Sequence, residues 1–88
     1  MLAATACTST SVEHFITIDP PDASVYINGV RSGKGDRRIH VLDFSQAERV
    51  WIQAVHRDFH PEALPLDRRT LERMVSARTD VTISLGRR

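Results

Sequence analysis

The chain has 88 residues, a formal net charge of +1 and a single cysteine. That length makes one domain, which buries only about 60–65% of its unfolded surface, so each core residue counts. The charge is too small to attract nucleic acid by itself. A lone cysteine excludes an internal disulfide framework and a thiolate zinc site, and no apolar run reaches the roughly 20 residues that span a bilayer.

Residues 1–12 read as a flexible tail or the remnant of a signal. Ala4-Thr5-Ala6-Cys7 resembles the end of a bacterial lipoprotein signal, where small residues precede the cysteine that becomes lipidated. Ala4 stands where leucine is usual, and the charged and apolar parts of such a signal would lie upstream of Met1. The resemblance implies Cys7 as a lipidation site and a membrane anchor. Thr8-Ser9-Thr10-Ser11 would then be a tether. The alternative is a loose terminus with an incidental cysteine.

Residues 13–88 read as a single β-domain. In Glu13–Ile18, Ile16 and Ile18 share one face of a strand and Phe15 and Thr17 the other. Pro20-Pro21 ends that strand, because proline fixes φ and lacks a backbone donor. Ser24-Val25-Tyr26-Ile27 is a second strand, and Asn28-Gly29 is the hairpin signal that follows it, both residues tolerating positive φ. Asp19-Pro20-Pro21-Asp22-Ala23, then Val25-Tyr26-Ile27, then Asn28-Gly29, resembles the PEGA domain, a small β-domain of bacterial and archaeal envelope proteins. Its hallmark is a Pro-x-Gly-Ala turn, a Val-Tyr-Val type of strand and an Asn-Gly or Asp-Gly turn.

Residues 29–35, with Gly29, Gly33 and Gly35, read as a loop. Gly33-Lys34-Gly35 lacks the spacing of a phosphate-binding P-loop, and it does not supply the Thr-Pro found here in PEGA domains. Arg37–Phe44 is a third strand, with Ile39 and Val41 on one face, Leu42 and Phe44 on the other, and a bulge or strand end near Leu42. Ser45–Glu48 is a turn. Arg49–Val55 is the clearest strand, with Val50, Ile52 and Ala54 opposite Trp51, Gln53 and Val55. Asp58-Phe59-His60-Pro61 breaks it, and Phe59 and Pro61 match an aromatic and a proline of the PEGA pattern. The resemblance thus covers residues 15–85.

Glu62–Leu66 reads as an edge strand, where Pro65 is tolerated. Leu71, Met74, Val75 and Arg78 have helical spacing, and Asp67 or Thr70 would cap a helix. A short helical turn or loop insertion near residues 67–78 is the expectation, with a strand extension through Leu71-Glu72-Arg73 as the alternative. Thr79–Leu85 alternates as a last strand, with Val81, Ile83 and Leu85 inward. Six or so short strands with regular turn signals predict an all-β fold, a small antiparallel β-sandwich.

No constellation of catalytic residues stands out, so a non-enzymatic role without cofactor is expected. No serine sits on an elbow that would serve a Ser-His-Asp triad. His56 and His60 have i, i+4 spacing, but Pro61 follows and no further ligand completes a metal site. What the resemblance implies is a cell-envelope module contacting surface polysaccharide, peptidoglycan or an envelope protein, the last by edge-strand pairing. The candidate ligand-binding residues are Tyr26, Asn28, Arg31, Lys34, Arg37, Arg38 and Trp51. Trp51 would either stack on a sugar or peptide or, as favoured here, be core or half-covered by the 66–78 insertion. The alternative function is a small cytoplasmic nucleic-acid-binding domain using the arginine-rich loop and Arg68, Arg69, Arg73, Arg78, Arg87 and Arg88. The lack of aromatics among the basic residues argues against nucleic acid as a partner.

Overall fold

A computed structural model of the chain describes residues 11–45 and 47–88. Cys7 lies outside these residues. The strands are β1 (Ser11–Asp19), β2 (Ser24–Ile27), β3 (Val30–Lys34), β4 (Arg38–Asp43), β5 (Arg49–Val55), β6 (Glu62–Asp67) and β7 (Val81–Ser84), with helix α1 (Arg68–Ala77) between the last two. They form a three-stranded sheet, β4-β1-β7, and a four-stranded sheet, β3-β2-β5-β6. The fold is a small all-β sandwich. Ser11 and Val12 belong to β1 rather than to the tail, and Val12 packs against the core.

The core follows the two-residue period of the strands. Ile16 and Ile18 of β1 and Leu42 of β4 meet Val25 of β2 and Val50, Ile52 and Ala54 of β5, all buried. Val81, Ile83 and Leu85 complete it. The turn after β1 holds Pro20 and Pro21, the Asp19–Pro20 bond being cis. The Asn28-Gly29 hairpin forms as its residues dictate, with φ of 51° and 84°.

The structure corrects two expectations. Residues 29–35 are mostly strand, not loop: β3 pairs antiparallel with β2, and Ser32 is an extra residue between the pairs Val25–Gly33 and Tyr26–Arg31. Its glycine content hid it, since glycine weakens a strand pattern and often marks a bulge. Of the bulge or strand end expected near Leu42, the strand end forms: β4 stops at Asp43, and its register with β1 is continuous from Arg38 to Asp43. The face that goes inward is His40, Leu42 and Phe44, leaving Ile39 and Val41 outside. Not every pair is antiparallel either, because β7 runs parallel to β1 from Ile16–Val81 to Asp19–Ser84.

The 67–78 insertion is a helix. Asp67 is its N-cap, accepting from the Thr70 amide at 2.7 Å. Arg78 ends it in the left-handed conformation, with φ 57°, its amide directed at the carbonyls of Met74 and Val75. Leu71 is buried in the core and Met74 packs against it, which is the helical spacing doing its expected work.

The two turns that carry the PEGA resemblance are neighbours in space. His56 Nε2 donates to the Asp22 carboxylate at 3.0 Å, and His56 Nδ1 accepts from the Asp58 amide at 3.1 Å. The chain end joins them, with Phe59 bridged to Arg87 and the His60 amide bonded to the Gly86 carbonyl at 2.7 Å.

Candidate binding face

The outer face of the β3-β2-β5-β6 sheet carries the candidate site. Opposed residues of an antiparallel pair share a face, so the registers place the side chains in rows. One row runs Arg31, Tyr26, Gln53, Ala63, and a neighbouring one pairs Trp51 with Pro65. Asn28, at the turn, reaches Trp51 from the other side. Asn28, Gly29, Trp51 and Gln53 line an open depression of about 380 Å³.

Trp51 is 47% exposed, so of the two expected states, core or half-covered, it is half-covered and not core. Helix α1 sends Leu71 into the core and packs Met74 against it. What holds Trp51 is its backbone. The Asn28 amide donates to the Trp51 carbonyl at 2.9 Å, and the Trp51 amide donates to Asn28 Oδ1 at 3.0 Å. An αL residue thus serves both as turn and as clamp, and a rigid strand presents the ring to solvent.

The other sequence candidates divide. Tyr26, Asn28, Arg31 and Trp51 come together. Lys34 shares the face but lies at its far end, opposite Ser24. Arg37 and Arg38 are elsewhere. Arg37 Nε donates to Asp80 at 2.7 Å, and its guanidinium lies 3.7 Å from the centre of the Phe15 ring. Arg38 pairs with Asp36 at 2.7 Å, which holds the Asp36 carboxyl below its ordinary range. Two cations thus leave the predicted set because they have structural partners.

Gln53 and Arg49 were missed as site residues. Both lie two positions from Trp51 on β5 and so share its face, a signal the strand period already contained. Among the described residues, Arg31, Lys34 and Arg49 make no ion pair. The face therefore combines a half-exposed indole, a phenol, two amide side chains and cations outside any close ion pair. That set can stack on an apolar ring face, bond hydroxyl groups and attract a carboxylate or phosphate.

Among the described residues no helix is long and apolar enough to cross a membrane. No family model, curated protein or solved structure matches the chain.

Proposed function

We propose that the chain is a non-enzymatic, PEGA-like binding module of the cell envelope. Its ligand is carbohydrate, either surface polysaccharide or a peptidoglycan strand, bound across the outer face of β3-β2-β5-β6. The observation that carries this reading is the half-exposed Trp51, held from both sides of its peptide by Asn28 beside an open depression. A sugar ring presents C–H groups on one face and hydroxyls at its rim. The indole takes the first, and the amides of Gln53 and Asn28 take the second. Arg31, opposite Tyr26, is placed for a carboxylate of an acidic sugar or of a lactyl group. The meeting of the two motif turns through His56 and Asp22 supports the PEGA-like part of the reading. Anchoring through a lipidated Cys7 belongs to the same proposal. Intact mass of the protein taken from native membranes tests it, the expected species beginning at an acylated Cys7.

Trp51 is the single tryptophan of the chain, so its fluorescence reports the face directly. Titration with soluble peptidoglycan fragments or capsular oligosaccharide is expected to shift and quench its emission. Trp51→Ala is expected to lose at least about tenfold in affinity, measured by calorimetry, with its melting temperature little changed because the ring is half in solvent. Equal binding by the variant would remove this face as the site. Binding that vanishes between about 0.05 and 0.2 M salt for every polyanion alike would instead indicate the nucleic-acid type of interaction.

A further inference from the structure

The two sheets end in β3, β4, β6 and β7. An exposed strand edge invites pairing, and proteins guard such edges with bulges, proline, lysine or shortness. Three of the four edges carry a guard. β3 has the extra residue Ser32 and ends in Lys34. β6 contains Pro65. β7 is four residues long.

β4 has none of these. Its six residues, Arg38–Asp43, run without bulge, proline or lysine. Ile39 and Val41 project outward from it, 53% and 51% exposed. Among the described residues no backbone hydrogen bond reaches its free side. A crevice of about 290 Å³ between β3 and β4, walled in part by Val30 and Val41, opens beside it.

We propose that β4 is a dimerisation edge whose occupant is β4 of a second copy, aligned antiparallel about a two-fold axis through His40. The sequence of the strand is complementary to itself in that register. Opposed residues of an antiparallel pair share a face. With His40 opposite its own copy, Ile39 falls opposite Val41 of the second copy, and Val41 opposite Ile39. One step further along the same outer face, Arg37 meets Asp43 of the second copy at both ends. The Nε of Arg37 is engaged by Asp80, which leaves the two terminal nitrogens for a further carboxylate. Phe15 lies next to Ile39 across the β1–β4 pair, so each Ile39–Val41 contact is flanked by an aromatic ring. Shifting the two-fold to Val41 would keep one apolar match, Val41 with its own copy, but would set both Ile39 side chains against Asp43 and lose the Arg37–Asp43 match. The product is a continuous six-stranded sheet from two three-stranded ones. It leaves both Trp51 faces free, and it does not depend on what they bind.

One edge pairing is small for a protein interface, so a concentration-dependent dimer in the micromolar range is expected, of roughly 1–100 μM dissociation constant. Sedimentation equilibrium of the full chain under reducing conditions is expected to show it. Val41→Lys installs the guard that β4 lacks and is expected to raise the dissociation constant at least about tenfold, with the circular dichroism of the wild type. A wild-type chain that stays monomeric to about 0.5 mM would overturn the proposal, and so would undiminished dimerisation of folded Val41→Lys. Register is tested by disulfide trapping in a Cys7→Ser chain. A mixture of the Ile39→Cys and Val41→Cys chains is expected to cross-link faster than either chain alone. Faster trapping of Val41→Cys with itself would overturn the two-fold through His40.

Discussion

His40 stands on the inward face of β4 between residues as apolar as Leu42, and it is 2% exposed. Its Nδ1 is 2.6 Å from the Ser32 hydroxyl on the bulge of β3, and its Nε2 is buried without a hydrogen-bond partner. A charged imidazolium would lose its hydration there, so burial pushes the His40 pKa below its ordinary value near 6.5. Arg38 adds to the shift, while Asp36 and the Lys34 backbone oppose it. The unfolded chain therefore takes up a proton that the folded one resists, and stability is complete above the unfolded value. It declines as pH falls below about 6.5 and levels off only beneath the lowered folded value. Melting temperatures are expected to drop between about pH 7.5 and pH 5, and to drop less in His40→Leu, which keeps the bulk and removes the titrating group. An equal drop in the variant would assign the effect to another residue. Asp22, Asp36 and Asp67 are held below the ordinary 3.8 by hydrogen bonds, chiefly from His56, from Arg38 and from the Thr70 amide respectively. Their share of stability is present at neutral pH and is lost only on further acidification through their lowered values. Gly35 makes a different demand. A Cβ there would lie 2.5 Å from Ile18 Cβ, so Gly35→Ala is expected to lower the unfolding free energy measured by urea denaturation by about 1–3 kcal/mol through overpacking.

At the scale of elements, helix α1 depends on its ends and on one anchor. The Asp67 carboxylate satisfies the Thr70 amide, and the following turn drives Leu71 into the core. Asp67→Ala is expected to lower the urea midpoint, and Asp67→Ser much less, because the serine hydroxyl can accept the same bond. This helix was legible from the sequence because a capping residue preceded apolar residues three and four apart. β2, β5 and β7 were legible for a similar reason, alternation bounded by turn residues such as Pro20-Pro21 and Asn28-Gly29, and β6 was legible as an edge strand that tolerates Pro65. β3 was not, since Ser32, Gly33 and Lys34 offer neither alternation nor bulk, and only the ladder to β2 makes them a strand. β4 was read as a strand with no inward face assigned, because its outward residues, Ile39 and Val41, are as apolar as the inward Leu42 and Phe44. Of the binding face, Tyr26, Asn28, Arg31 and Trp51 were readable from residue type. Arg37 and Arg38 were not separable from them, because the partners that occupy them, Asp80 and Asp36, are fixed by tertiary contact or by a local bend.

At the scale of the molecule, the sandwich presents surfaces with different uses. One sheet turns an aromatic, cation-bearing face to solvent, and the other ends in a bare strand edge with β-branched side chains. A composition-level reading reached the two-layer β architecture but not the direction of its last strand. No local pattern tells whether β7 will lie parallel or antiparallel to its neighbour, since the inward residues are the same in both. That direction matters under tension. β1 begins at Ser11 and β7 ends at Ser84, and the parallel register puts those points at opposite ends of the pair, with the Leu85 amide bonded to the Asp19 carbonyl at 2.9 Å as a further tie. Pulling on residues 11 and 85 would slide one strand along the other and load all the inter-strand bonds at once. Pulling on Ser11 and Asp43, which face each other across β1 and β4, would part that ladder one bond at a time. Single-molecule stretching is expected to need a severalfold higher force in the first geometry than in the second, which makes the β1–β7 pair a mechanical clamp.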